Sequence, residues 1–441
     1  MHIRYNFCTF ANEMRKIITI LIVFGTLVPF RLMANSRIVG ENIRTLRSRY
    51  MSNVSKDRTA QVLSRPYLVL RDGVADNTDE ENMIEFSFDE LSHEVHLYSY
   101  TIHQLNADGS RSDMLSSEYL RGFSRCDITD YTYSTNTQQD YTHYSFHIPN
   151  EDMTITASGR YEVVVYEDGD ENNVVLVTEF YVVSPEVQVR AKVSPNTSIE
   201  LSGRYQQLDI SVTDVQGQSR NMGDEYFIVV TQNGREDNQV YRPQPSIVSS
   251  NKLSWQNNKA LIFEGGNEYR HFDTYSTYIA GYNVNRITYS EGEYHAILEP
   301  DGLRKGNYMH EYDNDGQFVV NAERVLYDSD TEGEYMWVHW VLNVDKPFLN
   351  PVYIVGDLFG NNLDAGTRML YNADEKCYYF SAFLKQGGYN YIYALPTSGR
   401  RISLEETEGS YWQTQNEYRI YVYRRPFGSR SDELVGLYVI I

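Results

Sequence analysis

The chain has 441 residues and a formal net charge of −21, with 38 Tyr, 18 Phe and only 12 Pro. That length exceeds what one hydrophobic core usually serves and predicts two to four domains. The acidic surplus argues against nucleic acid, whose phosphates would repel it, and against anionic membranes. The many tyrosines favour half-buried strands, in which the ring packs and the hydroxyl meets water.

The N-terminal segment has the pattern of an export signal. Met14-Arg15-Lys16 is a short basic head, and the apolar run of residues 17–28 behind it ends at Pro29. Because the run is short for a bilayer, we expect a signal peptide over residues 1–34, with the true start at Met14. A short membrane anchor is the alternative. No later stretch is apolar enough for a membrane helix, so the sequence predicts an exported chain without membrane insertion.

The first predicted domain follows a basic segment. Residues 35–61 are polar and predict a flexible leader, and residues 62–184 predict a first β-sandwich. Inside it, two runs rich in valine and aromatic residues, residues 161–166 and 174–183, flank an acidic, Gly-containing turn and predict a hairpin. Residues 113–119 are the one place where a turn or two of helix is expected.

Two more β-sandwiches are predicted in the rest of the chain. Residues 185–328 predict the second, with a strand at residues 278–282 among others. Residues 329–441 predict the third, an early-set-like domain that ends with strands near 417–423 and 437–441. Short strands at regular spacing, with almost no helical periodicity, indicate an all-β chain of tandem immunoglobulin-like and early-set β-sandwich domains.

The cysteines do not indicate a disulfide scaffold. Cys8 lies in the expected signal segment, and about 250 residues separate Cys126 from Cys377. We expect these two to be buried free thiols that behave as small hydrophobic side chains.

No motif indicates catalysis, a metal or a cofactor. The sequence lacks a phosphate-binding Gly-rich loop and a Gly-x-Ser-x-Gly elbow. His93 and His96 would face opposite sides of a strand, and the acidic loops at 167–171 and 313–316 lack the spacing of a calcium loop. The prediction is therefore a protein that is not an enzyme; a secreted hydrolase with paired carboxylates is the weakest alternative.

The third predicted domain offers a second function. Residues 352–360, 369–372 and 388–393 resemble early-set sandwiches that bind glycans, in which exposed Tyr and Trp stack on sugar faces. Leu358-Phe359-Gly360 lacks the Trp usually found after such a Gly-Asp. The same aromatic residues could instead pack the core. A glycan-binding protein of the cell envelope is the alternative reading of the chain.

A series of motifs along the whole exported chain resembles the type IX secretion system plug proteins of Bacteroidota, long described as a family of unknown function. Their order and spacing carry the resemblance. The motifs are Arg65-Pro66-Tyr67, Phe86-Ser87-Phe88-Asp89-Glu90-Leu91, Tyr98-Ser99-Tyr100, Ser116-Ser117-Glu118-Tyr119-Leu120-Arg121-Gly122-Phe123, Ile128-Thr129-Asp130-Tyr131, Ser134-Thr135-Asn136-Thr137, Tyr141-Thr142-His143-Tyr144, Ser158-Gly159-Arg160-Tyr161, Gly266-Asn267-Glu268-Tyr269-Arg270-His271-Phe272-Asp273, Tyr335-Met336-Trp337, Lys385-Gln386-Gly387-Gly388-Tyr389 and Glu408-Gly409-Ser410-Tyr411-Trp412. One departure is Gln104-Leu105-Asn106-Ala107-Asp108-Gly109, where the family tends to carry a Cys-Asp/Asn-Ala-Asp-Trp run.

The resemblance implies a non-enzymatic periplasmic subunit that binds and seals the periplasmic side of the outer-membrane translocon barrel. A wide barrel has an aqueous lumen, which a reversible all-β stopper would close. The family-like motifs supply the candidate interface residues Tyr119, Phe123, Tyr131, Asn136, Tyr141, Arg270 and Phe272. Secreted cargo of the same system, which also ends in a small sandwich, is a further alternative, but the last residues of this chain lack the basic residue typical of such tails.

Overall fold

In the computed structural model, strands alternate with short loops throughout the part of the chain that is described. That part comprises residues 36–51, 65–215, 217, 221–306, 308–323, 325, 326, 328–361, 363–397 and 401–441. The predicted signal peptide lies outside it. The described residues confirm the all-β prediction.

The first sandwich is built from the first twelve strands. These are β1 (Arg37–Ile38), β2 (Ile43–Tyr50), β3 (Leu68–Val69), β4 (Ile84–Glu90), β5 (Tyr98–Leu105), β6 (Leu120–Gly122), β7 (Arg125–Ile128), β8 (Asp130–Tyr133), β9 (Thr142–Ile148), β10 (Met153–Ile155), β11 (Gly159–Glu167) and β12 (Val174–Val183). One sheet has the order β1-β12-β11-β5-β7, with β3 beside β12; the other is β2-β4-β9-β8, and β6 pairs with β10. The alternating apolar side chains of the two sheets meet in one core.

The predicted hairpin is confirmed. β11 and β12 pair antiparallel from Gly159 opposite Val182 to Tyr166 opposite Val174. The acidic turn between them takes left-handed backbone at Asp168 and Gly169, with φ of 54° and 69°. The expected helical turn is also present, as α1 (Ser116–Tyr119).

The predicted flexible leader is wrong over its described residues. β2 pairs antiparallel with β4, from Ile43 opposite Glu90 to Tyr50 opposite Ile84. β1 pairs with β12 in the opposite sheet. The segment reads as polar because β2 carries arginines, but Arg47 and Arg49 pair with the carboxylates of Asp330 and Glu85 on neighbouring elements. Residues 52–64 lie outside the described residues.

The second sandwich combines two distant parts of the chain. Its first sheet holds β13 (Val187–Ser194), β14 (Tyr205–Asp214), β17 (Ile247–Val248), β18 (Lys252–Trp255) and β19 (Ile262–Glu264). Its second sheet has the order β16-β15-β30-β31, with β15 (Tyr226–Gln232), β16 (Arg235–Tyr241), β30 (Tyr418–Arg424) and β31 (Glu433–Ile440). The short helix α2 (Met222–Glu225) precedes β15. The two last strands, predicted in the third domain, therefore complete the second.

The third sandwich lies between those two parts in sequence. One sheet holds β20 (Arg270–Asp273), β23 (Phe318–Val320), β25 (Tyr353–Val355), β28 (Gly387–Pro396) and β29 (Ile402–Ser403). The other has the order β21-β22-β24-β27-β26, with β21 (Val284–Ser290), β22 (Glu293–Leu298), β24 (Tyr335–Asn343), β26 (Leu370–Asn372) and β27 (Cys377–Lys385). Residues 278–282, predicted as a strand, form a loop. The helix α3 (Ser329–Glu332) precedes β24.

The predicted boundary between residues 328 and 329 does not match the sheets. It would assign β21 and β22 to the second domain and β24 to the third, although the three strands are neighbours in one sheet. The physical reason is that a strand's sequence fixes its faces but not its neighbour. We propose domain boundaries that follow the sheets: residues 36–184, then 187–264 with 418–440, and 270–403 between them. The described residues between 36 and 441 form one compact unit.

The predicted state of the two remaining cysteines is confirmed. Cys126 and Cys377 are both buried and both free. No helix among the described residues has the length and apolar character that crossing a membrane requires.

Candidate partner interface

Four of the seven predicted interface residues have buried side chains. Tyr119 packs in the first core and donates its hydroxyl to the backbone oxygen of Ile102 over 3.2 Å. Phe272 is fully buried in the third core. Because a buried side chain offers no surface to a partner, the structure gives these residues a packing role, and the prediction of direct contact does not fit them.

The other two buried residues hold polar networks together. Arg270 forms ion pairs with Asp301 at 2.6 Å and Glu408 at 3.0 Å inside the third sandwich. The hydroxyl of Tyr141 donates to the backbone oxygen of Gly333 over 3.0 Å, which joins the first sandwich to the third. Their family-like motifs therefore reflect the assembly of the fold.

Three predicted residues are exposed. Phe123 is 65% exposed at the end of β6, and Tyr131 is 43% exposed on β8. Asn136 is exposed in the next loop and takes left-handed backbone with φ of 60°. These three keep their status as predicted contact residues.

Tyr131 belongs to a larger exposed group that we name the tyrosine edge, consisting of Tyr131, Tyr133, Tyr278 and Tyr289. Tyr131 and Tyr133 lie on β8, an edge strand of the first sandwich, with ring centroids 6.0 Å apart. Tyr289 lies on β21, an edge strand of the third sandwich, and is 54% exposed. Tyr278 is 79% exposed in the loop before β21.

Short contacts connect the two halves of the tyrosine edge. The hydroxyl of Tyr289 donates to the side-chain oxygen of Gln138 over 3.2 Å, in the loop that follows β8. The same loop donates backbone N–H groups to Glu334, and the N–H of Thr135 donates to the backbone oxygen of Thr331 over 2.9 Å. Exposed tyrosines beside free strand edges are the kind of surface that protein partners use, since Tyr adds contact area at low entropic cost.

A buried charge cluster fixes the first sandwich against the third behind this surface. Lys385 on β27 lies 2.6 Å from Asp89 on β4, and both side chains are almost fully buried. His143 and the hydroxyl of Tyr335 lie 2.6 and 2.7 Å from the same carboxylate. Burial opposes ionisation, but Lys385 and His143 together hold the pKa of Asp89 below its usual value.

Other ion pairs connect the remaining sandwiches. Arg65 joins Asp357 of the third sandwich at 2.8 Å to Glu417, next to β30, at 2.7 Å. Arg160 of the first sandwich pairs with Glu236 on β16 of the second. Because each junction is held by charges and rings, for example Tyr181 against Tyr421 at 4.5 Å, the surface residues are presented from a well-connected body.

The motifs that could have indicated a metal or a sugar have structural roles. His93 contacts Ser134 and His96 contacts Glu90, so the two imidazoles have separate partners. Within the described ranges, no group of three His, Cys, Asp or Glu side chains is placed to hold a metal. Tyr389, Tyr391 and Tyr393, expected to stack on sugars in the alternative reading, are at most 2% exposed and pack the third core.

The acidic loop at residues 313–316 is a turn that contains two aspartates with raised pKa values. Asp313 accepts the backbone N–H of Tyr269, and Asp315 has left-handed backbone with φ of 49°. Burial raises the pKa of Asp313 to about 7, although the backbone N–H groups of Asp315 and Tyr269 donate to its carboxylate and oppose the rise. Burial, reinforced by Glu417, raises the pKa of Asp315 to about 6.

The fold and surface define an all-β protein of packed sandwiches that presents tyrosines along strand edges, the features of a binding protein. Comparison with protein families identifies the type 9 secretion system plug protein 1st domain over residues 74–184. Residues 74–184 are therefore a domain of the plug protein family, which associates the chain with type 9 secretion and with the cell envelope. The family is not a known enzyme family.

Solved structures support the fold over nearly the whole chain. A crystal structure of a hypothetical protein from Parabacteroides merdae ATCC 43184 is 33% identical, with a TM-score of 0.86, and the match covers 93% of this chain and 100% of that one. A match to the BSP domain of a biofilm associated protein is 7% identical over 94% of this chain and 61% of that one. Its TM-score of 0.18 is too low to indicate a shared fold. No curated protein matches the chain.

Few features of the sequence indicate which residues hold the sandwiches together. Lys385 ends an apolar strand, and Asp89 interrupts one, so each looks like a solvent-facing charge. The one available signal was a charged residue at an inward position of an otherwise buried strand. Their pairing needed the tertiary structure, because 296 residues separate them.

Proposed function

We propose that this protein is a non-enzymatic periplasmic plug that binds the translocon barrel of the type 9 secretion system and seals its periplasmic side. The family domain over residues 74–184 supports the association with that system. A body of three packed sandwiches suits this role. A wide barrel has an aqueous lumen, and a protein that closes it must keep its shape.

The observation that carries the proposal furthest is the tyrosine edge. It spans the edges of two sheets and is rimmed by polar groups such as His93, whose ring lies 5.3 Å from that of Tyr133. An interface of aromatic anchors within a polar rim binds tightly without a large apolar patch that would aggregate. We therefore propose that the tyrosine edge, with Phe123, contacts the barrel.

Affinity purification from the periplasm tests the proposal. The tagged chain should recover the barrel, and the variant Tyr131→Ala/Tyr133→Ala/Tyr289→Ala should recover at least about tenfold less, as loss of several anchor residues costs more than one factor of ten. Tyr312→Ala is the matched control, because Tyr312 is 84% exposed but lies outside the tyrosine edge.

Two results would count against the proposal. Recovery of oligosaccharide without any barrel would favour a glycan-binding protein. A strain lacking this chain should also admit large antibiotics or leak periplasmic markers, and an unchanged outer-membrane barrier would argue against sealing. If the barrel is recovered equally by the triple variant, the plug assignment stands and the tyrosine edge is the wrong surface.

A further inference from the structure

Strand β13 is an edge strand without the irregularity found at the other long edges. Among the described residues, the strands of seven or eight residues at sheet edges are β2, β13, β16, β21 and β31. The pairing of each of the other four with its neighbour contains a register shift. β13 instead pairs with β14 without interruption, from Val187 opposite Asp214 to Ser194 opposite Gln207. Because bulges discourage the pairing of a further strand, β13 is the long edge that best accepts one.

The free side of β13 offers backbone donors and acceptors at every second residue. The N–H of Asp214 donates to the backbone oxygen of Asn251 over 2.9 Å, so Asp214 directs its backbone groups away from β13. Bonded and non-bonded pairs alternate along an antiparallel ladder. The outward N–H and C=O groups of β13 therefore belong to Val187, Val189, Ala191 and Val193. No strand in the described ranges pairs with β13 on that side.

The two faces of β13 differ in chemistry. The same four residues turn partly buried apolar side chains toward the second core. The opposite face is fully exposed and carries Gln188, Arg190 and Lys192. A strand added beside β13 would continue both faces, so that its side chains would lie alternately beside the valines and beside the cations.

The two cations of β13 favour an acidic partner. Lys192 lies opposite Asp209 on β14, but the Asp209 carboxylate accepts the N–H of Asn257 over 2.9 Å. In the part of the chain that the structure describes, no carboxylate lies within ion-pair distance of Arg190 or Lys192. This is unusual in a chain with a net charge of −21.

The same cations disfavour a second copy of this chain at the edge. Two copies of β13 paired antiparallel around Ala191 would place Arg190 of each copy opposite Lys192 of the other. Like charges directly opposite each other destabilise a strand pair. The edge is therefore protected against its own kind and remains open to a segment of opposite charge.

We propose that β13 binds an extended segment of another protein, in which apolar and acidic residues alternate, as an added strand of the second sandwich. Backbone hydrogen bonds to the outward groups of β13 provide affinity, and the alternating side chains provide selectivity. Apolar residues of the segment cover Val189 and Ala191, and its acidic residues lie beside Arg190 and Lys192. The second sandwich contributes no residue to the tyrosine edge, so the inference does not rest on the proposed plug function.

Calorimetric titration of the full chain tests the site. The probe is the peptide acetyl-Val-Glu-Val-Glu-Val-Glu-Val-amide, and its matched control carries Lys in place of each Glu. We expect saturable binding of the Glu peptide and at least about tenfold weaker binding of the Lys peptide, because like charges then replace opposite ones at several positions. Added salt should weaken the binding of the Glu peptide, since it screens exposed charges.

Hydrogen exchange measured by mass spectrometry locates the bound peptide. The outward N–H groups of β13 face solvent in the free chain, and an added strand would bond to them. We expect the Glu peptide to slow exchange over residues 187–193. Exchange in β16, another edge strand of the same sandwich, should not change.

Variants of β13 separate the backbone contribution from the charge contribution. Ala191→Pro removes an N–H that points away from β14, a position where an edge strand tolerates proline, and should weaken binding of the Glu peptide at least about tenfold. Arg190→Gln/Lys192→Gln should weaken it about three- to tenfold at low salt, as expected for two exposed ion pairs. Arg286→Gln removes a charge from an exposed position on β21 and should bind like the parent chain. Circular dichroism checks the fold of each variant.

No saturable binding of the Glu peptide, equal binding of the two peptides, or exchange protection away from β13 would each overturn the proposal. Self-association of the parent chain that Ala191→Pro abolishes would overturn it too, because a second copy would then occupy the edge. The peptide comparison and the exchange measurement need no variant, so they decide the question even if Ala191→Pro does not fold.

Discussion

Replacing Lys385 by Met removes the cation at the centre of the junction between the first and third sandwiches. The Lys385 ammonium is fully buried, 2.6 Å from Asp89, and it also donates to the backbone oxygen of Asp330. Met keeps the length and apolar stem of the side chain, so the loss is mainly electrostatic. Asp89 would then be a buried carboxylate whose hydrogen-bond partners, within the described part of the chain, are the side chains of His143 and Tyr335.

The expected loss follows from the burial of both partners. Removing one member of a buried ion pair typically costs about 3–5 kcal/mol, because the remaining charge loses its compensation. Lys385 also lies 4.0 Å from the ring centroid of Tyr141, a cation–π contact worth on the order of 1 kcal/mol. Since two hydrogen-bond donors to Asp89 remain, we expect a total destabilisation of about 3–5 kcal/mol.

Equilibrium unfolding in urea measures this loss, followed by tryptophan fluorescence and by circular dichroism. Lys192→Met, at an exposed position on β13, is the matched control and should change the stability by less than about 0.5 kcal/mol. The double variant Lys385→Met/Asp89→Asn no longer buries an unpaired charge, so its loss should be smaller than the sum of the single losses by about 1–3 kcal/mol. A loss for Lys385→Met no larger than that of Lys192→Met, or additivity in the double variant, would refute the reasoning.

Two further predictions concern pH and thiol chemistry. Asp313 and Asp315 bind protons more tightly in the folded chain, with pKa values of about 7 and 6 against an ordinary 3.8, so stability should rise as pH falls from about 7 to 5. Asp330 has its pKa held well below 3.8, chiefly by Arg47 against the effect of burial, so stability should fall again below about pH 4. Melting temperatures across this range check both limbs, and a flat profile between pH 7 and 5 would contradict the first. Cys126 and Cys377 should react with iodoacetamide only after unfolding, because burial raises the pKa of each thiol, that of Cys377 to about 11. Mass spectrometry counts the labels, and full labelling of the native chain would contradict this.

The sequence by itself was sufficient for the class of fold. The runs of β-branched and aromatic residues in β11 and β12, with turn residues between them, are a local signal that survives in any context. The order of motifs along the chain was sufficient for the family. Both kinds of information are carried by residues near one another in sequence, or by their order, and need no knowledge of which strands meet.

The partners of the strands were decided only by tertiary structure. β30 and β31 follow the third sandwich in sequence but complete the second, where Val230 of β15 lies opposite Ile420. The arginine-rich segment β2 reads as a solvated leader, yet it forms a strand in which Arg47 and Arg49 pair with carboxylates that other parts of the chain supply. A strand's own residues determine its two faces, while its edges accept any strand that long-range packing brings beside them.

The candidate surfaces depend on the same distinction. Tyr131 and Tyr141 stand in similar tyrosine-rich motifs ten residues apart, but one is 43% exposed and the other is fully buried against the third sandwich. The irregularity of β2 at Thr45, where φ is 54°, could not be predicted from sequence either, since the register shift exists only in the pairing with β4. Local chemistry determined what each residue can do. Burial, which depends on residues hundreds of positions away, decided which of them act at the surface and which hold the sandwiches together.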